Sequence, residues 1–247
     1  MVFSSKITMN MQGNPRPKIS LDRTVLTKGS IVMKAALVHT GSNDMRKCRI
    51  PVAVSARHAH LSQVTLDRLF GANYQLHVRS PLSQTGQFAA EETVNLVGPR
   101  GRIDHVRVLG PPRAEDQIEI SRSDEVILGI DAPIRDSGNV RSSPGITLEV
   151  AERKVTLSQG VICAWRHIHM NSGQARKFGV RDHDKVHVYI HSDARSLEFS
   201  DVIVRVDPSF SLELHLDTDE ANAAGISPLA DHAHAAECVT ASIIKQA

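Results

Sequence analysis

Aromatic residues make up only 4% of the 247 positions in this chain. That scarcity argues against a platform for single-stranded nucleic acid, where successive bases need rings to stack on. Cysteine is sparse as well: Cys48, Cys163 and Cys238 lie far apart, with no C-x-x-C pair. An odd, scattered count fits a reducing cytoplasm and argues against a disulfide framework. No apolar run approaches the roughly 18 residues of a membrane span. The opening MVFSSKITMNMQGNPRPK lacks the apolar centre of a secretion signal. The expected location is therefore the cytoplasm, with neither membrane nor nucleic acid as a partner. There is no Walker P-loop, no G-x-G-x-x-G and no nucleophile elbow.

Charge is present in both signs but unevenly placed. Residues 1–47 hold eight Lys or Arg against Asp22 and Asp44, a balance of +6, while the remaining residues carry 21 basic and 25 acidic groups, or −4. A mildly acidic body behind a basic leader makes the pI uninformative about nucleic acid. Gly13-Asn14-Pro15-Arg16-Pro17 breaks any helix in the leader, and Gly29 and Ser30 interrupt Val25 to His39. Residues 1–47 read as an extension, disordered or targeting, with a true start at Met33 or Met45 as a second reading.

Two short runs copy each other. Arg57-His58-Ala59-His60-Leu61 returns 109 residues later as Arg166-His167-Ile168-His169-Met170, and each copy runs on to a Phe-Gly pair, Phe70-Gly71 and Phe178-Gly179. Strand-like Ile50 to Ser55 leads into the first copy and Gly160 to Trp165 into the second. Hairpins are expected at Thr93–Val97 with Ile103–Leu109 and at Ile146–Val150 with Val155–Leu157, and further strands at 76–78, 186–191, 202–206 and 212–216. Helices are brief: Ser62 caps one ending at Gly71, Asn171 one ending at Gly179, and Thr218 one before Gly225. Many short strands with few helices predict a mainly β protein of two similar β-barrel domains. The expected boundaries are 48–152 and 153–225, with 226–247 as a variable tail.

Residues i and i+2 of a strand share a face, so each H-x-H offers two imidazoles to one metal, or one to each of two neighbouring metals. Zinc accepts neutral imidazole, and a catalytic site needs about three protein ligands. Candidates for the remaining ligands are Glu119 and His215, which sit on apparent strands between apolar neighbours; from pattern alone both read as ordinary exposed strand residues. His232 and His234 are assigned to a solvated tail, and His183, His187 and His191 to the surface. Arg100, Arg102, Arg107 and Arg113 cluster around the first hairpin, where their planar forks suit phosphate or merely add solubility.

Several motifs together carry a family resemblance. Val54-Ser-Ala-Arg-His-Ala-His-Leu61, Pro81-Leu-Ser-Gln84, Gly86-Gln-Phe-Ala-Ala-Glu-Glu-Thr93, Arg107-Val-Leu-Gly-Pro111, Glu119-Ile-Ser-Arg122, Arg135-Asp-Ser-Gly138, Arg166-His-Ile-His-Met170 and His215-Leu-Asp-Thr-Asp-Glu-Ala-Asn222 stand in order over about residues 48 to 225. This set resembles the PduL-type phosphate acyltransferases. The resemblance implies short capping helices on the two barrels and a two-zinc site between them. It implies reversible acyl transfer between coenzyme A and inorganic phosphate, with acyl-CoA as partner. One zinc would be held by His58, His60 and Glu119, the other by His167, His169 and His215, with Glu119 a candidate bridge. Arg113 matches the phosphate-binding arginine. Ser55, Arg107, Leu109, His215 and Asn222 match positions lining the coenzyme A site. Ser80 departs from the lysine common before Pro-Leu-Ser-Gln, with Arg79 beside it. Family members often work inside bacterial microcompartments with shell or core enzymes as partners; a homo-oligomer stays open. A metal-dependent hydrolase and a zinc-stabilised assembly component are the competing readings.

Overall fold

A computed structural model describes residues 49–192, 195–226 and 240–244. Alternating β-branched residues set its first half: β1 (Ile50–Val54) and β2 (His58–Ser62) precede helix α1 (Gln63–Phe70). There follow β3 (Val78–Pro81), β4 (Phe88–Val97), β5 (Arg102–Arg113), β6 (Gln117–Glu119), α2 (Arg122–Leu128), β7 (Ile134–Arg135), β8 (Ile146–Val150) and β9 (Arg153–Leu157). The second half runs β10 (Val161–Ala164), β11 (His167–Met170), α3 (Ser172–Phe178), β12 (Lys185–His191), β13 (Leu197–Val206), β14 (Glu213–Leu216), α4 (Thr218–Ala223) and β15 (Thr240–Ile244).

Pairing sorts these strands into two bodies, as a mainly β chain of two related barrels requires. One is a closed barrel in the order β1-β14-β11-β13-β12-β15. The other is a nine-stranded sheet, a half-barrel in the order β7-β10-β6-β2-β5-β4-β8-β9, with β3 added on β4. Each has its own core. Leu61, Val94, Leu96, Val108, Ile118 and Leu148 fill the half-barrel. Ile168, Met170, Val188, Ile190, Val204 and Leu214 fill the closed barrel. At about 2 kcal/mol for each fully buried aliphatic side chain, either core is enough to fix strand register.

The strand before each histidine pair crosses to the opposite body. β1 pairs parallel with β14, Ala53 beside His215, and its Ile50 and Val52 enter the closed-barrel core. β10 pairs parallel with β6, Ile162 beside Glu119, and its Val161 and Cys163 enter the half-barrel core. Strand pairing therefore departs from the expected division at residues 152 and 153, because the two bodies exchange equivalent strands. The expected tail also contains structure: β15 pairs with β1 and β12 and completes the closed barrel. Its Thr240-Ala-Ser-Ile-Ile244 alternates over only a few small residues, too short a run to mark a strand by itself.

Local capping follows the side chains. Ser62 accepts from Thr65 N, and Asn171 forms a full capping box with Gln174. Gly179 ends α3 at φ 70°, a left-handed position that glycine adopts without a Cβ clash. The cap of α4 is Asp217 rather than Thr218, since its carboxylate accepts from Glu220 N. Helix α2 was not expected, although Ser121 and Asp124 form a reciprocal box at its start.

Candidate metal centre

Alternation along β2 decides what the first R-H-x-H does. Ala59 and Leu61 turn into the half-barrel core, which leaves His58 and His60 together on the other face. That face is not solvent: the two histidines are 6% and 3% exposed. β11 repeats the arrangement, with Ile168 and Met170 in the barrel core and His167 and His169 buried opposite. The antiparallel neighbour of each strand supplies a third group. Glu119 stands opposite His58 across β2 and β6, and His215 opposite His167 across β11 and β14. Two triads result, His58–His60–Glu119 and His167–His169–His215, with the ligand-capable atoms of each within 4.8 Å of one another.

Backbone carbonyls select the free nitrogens. His58 Nδ1 lies 2.9 Å from the Ala56 carbonyl, and His167 Nδ1 2.7 Å from that of Trp165. A carbonyl can only accept, so both Nδ1 atoms donate and both Nε2 lone pairs are left for the triads. His60 Nδ1 and His169 Nδ1 are buried with no hydrogen-bond partner. An orphaned buried nitrogen costs about 1–3 kcal/mol. Finding the same atom orphaned in both copies, beside two further donors, fits a metal ligand set of zinc type.

Electrostatics point the same way. Burial, then the neighbouring His58 and Arg113, lowers the His60 imidazole to about 2. Burial with His215 lowers His167 to about 3, and burial with His167 and His215 lowers His169 to about 2. These three rings are neutral at physiological pH, as metal ligation demands. Burial would also lower His58, but the charge and hydrogen bond of Glu119 raise it instead. Burial would raise Glu119, yet the charge and hydrogen bond of His58, with His60 and Ser137, hold it well below the usual carboxylate range. Gln117 Nε2 and Ser137 Oγ donate to Glu119 Oε1 at 2.6 and 2.9 Å.

The triads adjoin. Glu119, His167 and His215 line one cavity of about 20 Å³ together with Ser55, room for roughly one water-sized group. A wider cleft of about 500 Å³ is lined by Ser137, Arg205 and Phe210, with His183 exposed along it. Ser137 bonds Glu119, and the Phe210 ring lies 4.2 Å from that of His169, so the wall of the cleft touches a member of each triad. Arg113 is half-buried with Nη1 3.5 Å from Ser137 Oγ. Its guanidinium pKa is lowered by burial and by Arg205, against the opposing pull of Glu119. Two cations therefore face one region.

Other expected site residues are placed less centrally. Arg107 and Leu109 on β5 are the register partners of His58 and His60, and Arg107 donates to the carbonyls of Ala90 and Glu91. Asn222 is exposed on α4, and its carbonyl accepts from Arg195 at 3.3 Å. Arg102 is committed to Asp104 and Glu149. His187 and His191 are half-buried on β12, and His232 and His234 lie outside the described residues. Sequence reasoning missed Arg205, Gln117 and Ser137. Arg205 carried one faint signal, a charge inside the apolar strand Val202 to Val206.

A family model described as phosphate propanoyltransferase matches residues 51–227. The chain belongs to the phosphate propanoyltransferase family. A curated relative of that name from Thermotoga maritima is 51% identical over 175 residues, 71% of this chain and 83% of the relative. One from Citrobacter freundii is 48% identical over 183 residues, 74% of this chain and 87% of its own length. One from Salmonella typhimurium is 48% identical over 193 residues, 78% and 90% respectively. The span matched to the phosphate propanoyltransferase family contains both triads, Arg113 and Arg205, and ends before β15. Among the described residues no helix is long and apolar enough to cross a membrane.

Proposed function

We propose that this chain transfers a short acyl group, propanoyl or acetyl, reversibly between coenzyme A and inorganic phosphate. The observation that carries this reading is the pair of ligand-capable triads beside a cleft that Arg205 lines and that Arg113 approaches through Ser137. Membership of the family supports it.

The reaction needs a phosphate oxygen to attack a thioester carbonyl. The carbon–sulfur bond breaks, and the proton lost by hydrogen phosphate ends on the coenzyme A thiol. When bound at the two triads, zinc supplies Lewis-acid polarisation of the carbonyl and offsets phosphate charge. The chain's own residues hold the reactants. Arg113 and Arg205 bind the phosphate dianion through charge-assisted hydrogen bonds and orient it toward the carbonyl. Ser137 bonds both Gln117 and Glu119, which fixes the wall against which phosphate rests. Ser55 and His215, sharing the small cavity, stand where the thioester approaches. Arg107, Leu109 and Asn222 extend the coenzyme A path. Arg79, close enough to Arg107 to lower its pKa after burial does, takes the phosphate contact that Ser80 cannot make.

The test is thiol release from acetyl- or propanoyl-CoA with and without phosphate. Release that requires phosphate, and thioester formation from acyl phosphate plus coenzyme A, support the assignment. Release without phosphate would make the protein a hydrolase and sink it. Location belongs to the same reading: residues 1–47 direct the protein into a microcompartment, and deleting them should leave catalysis intact and abolish encapsulation.

A further inference from the structure

Glu213 lies two residues before His215 on β14, so both side chains project from the same face of that strand. Its Oε2 sits 2.7 Å from His215 Nε2. Glu213 is buried, and the groups around it come from the other end of the sequence. Ser83 Oγ donates to the same Oε2, and Gln84 Nε2 approaches it at 3.4 Å. Gln84 is itself only 3% exposed and exchanges two hydrogen bonds with the backbone of Ser211, each 3.2 Å. A turn of the half-barrel thus grips the strand that carries a triad histidine of the closed barrel.

The first triad has a counterpart. Gln117 stands two residues before Glu119, as Glu213 stands before His215, and donates to Glu119 Oε1. The chemistry of each supporting residue is matched to the group it touches. A carboxylate, which only accepts, is given an amide donor. An imidazole, which needs a proton fixed on one nitrogen, is given a carboxylate acceptor.

We infer that Glu213, clamped by Ser83 and Gln84, is a positioning residue that fixes the proton of His215 on Nε2 and aims its Nδ1 lone pair at a metal in the second triad. This rests on the function proposed above. It also equalises the two triads in charge: each is associated with one carboxylate, inside the first triad as Glu119 and behind the second as Glu213. Glutamine at 213 would keep one oxygen within reach of the His215, Ser83 and Gln84 donors but lose the carboxylate charge, and a neutral amide oxygen holds the His215 proton less firmly.

Full-length wild type and Glu213→Gln, loaded with Zn²⁺ or Co²⁺, are compared by metal content against graded chelator and by the visible Co²⁺ spectrum. Wild type should hold two ions. Glu213→Gln should release one at about 10- to 100-fold lower chelator, the usual cost of losing such a partner, and shift the bands of that site alone. Ser83→Ala, which leaves Glu213 in place, should give a smaller change at the same site and decides the matter if the glutamine variant does not fold. Unchanged affinity and spectrum in the folded variants would overturn the inference, since a merely structural clamp lowers melting temperature without altering the Co²⁺ bands. So would fewer than two ions in wild type. Two ions with no phosphate-dependent thiol release would remove the proposed function and leave the role of Glu213 standing.

Discussion

Glu119 and His215 occupy the same position in the two halves of the chain. Each faces the first histidine of an R-H-x-H run across an antiparallel strand pair, and each lies beside the strand exchanged from the other body. The third group of the triad is thus an oxygen donor in one copy and a nitrogen donor in the other. Glu119→Ala and His215→Ala should each cost one of two bound ions and leave the other triad loaded. Metal analysis of both variants should give about one ion per chain; loss of both from either would mean the triads form a single unit.

Arg205 of β13 lines the cleft, and Arg113 of β5, on the other body, lies 3.5 Å from Ser137 Oγ in its wall. If both hold phosphate, removing either deletes charge-assisted hydrogen bonds worth about 1.5–3 kcal/mol. Arg113→Ala and Arg205→Ala should each raise the phosphate KM about 10- to 100-fold while the acyl-CoA KM stays within a few-fold. Steady-state kinetics with each substrate varied separately checks this, and an unchanged phosphate KM would remove the residue from the anion site.

Much of this arrangement was legible in the residues, and the exceptions share a cause. Alternation in Arg57–Leu61 and Arg166–Met170 was enough to place four imidazoles on two faces, and small polar caps marked α1 and α3. What short-range pattern could not reveal was pairing at a distance. Ile50–Val54 reads as a strand of the first half, and only tertiary contact shows that it lies on β14. Glu119 and His215 read as ordinary strand residues because the histidines they face, His58 and His167, lie on strands distant in sequence. Helix α2 was missed because Ser121 and Asp124 follow so closely on β6 that the strand signal masked the cap.

The arginine of each R-H-x-H has a structural task. Arg57 Nε donates to Asp124 at 2.9 Å, and Arg166 Nη1 to Glu220 at 2.8 Å. Asp124 and Glu220 are the capping-box residues of α2 and α4, so each arginine ties a histidine strand to the helix after the strand of the third triad group, β6 or β14. The Asp124 side chain is 1% exposed, and stripping its partner leaves a buried charge. Arg57→Ala should destabilise by about 1.5–3 kcal/mol, the worth of hydrogen bonds to a charged group, and Arg166→Ala, whose acid is more accessible, by less. Denaturant melts should show both losses; an unaltered midpoint in Arg57→Ala would contradict the assignment.

Cys163 is the cysteine among the described residues, and it is poorly suited to carry an acyl group. Burial, then the adjacent Glu125 that accepts its thiol proton, pushes it up to about 12. Thiolate is the nucleophilic form, so the folded protein should leave Cys163 unlabelled by iodoacetamide at pH 8 and label it on unfolding. Phosphate-dependent thiol release should survive Cys163→Ser. Peptide mapping that found rapid native labelling would reopen a covalent route.

Metal-free protein should lose stability in acid through the triad imidazoles. His60, His169 and His167 are held at about 2, 2 and 3 in the fold, against roughly 6.5 in an unfolded chain. Between those limits the unfolded state binds protons that the folded state refuses, so this contribution is complete above about 6.5 and drains away as pH falls toward 3. Each ring supplies a slope of about 1.4 kcal/mol per pH unit, and three acting together outweigh the opposing His58. That ring is raised by Glu119, so its contribution is present below about 6.5 and lost as pH rises through the folded value. The Glu119 carboxyl, held low, adds stability that disappears at still lower pH. In excess chelator the melting temperature should therefore drop from pH 7.5 to pH 5, and His60→Gln or His169→Gln should flatten that drop. Metal-loaded protein should resist over the same range until protons displace the ions. A metal-free melting temperature that is level or rising toward pH 5 would show that these imidazoles are not held neutral.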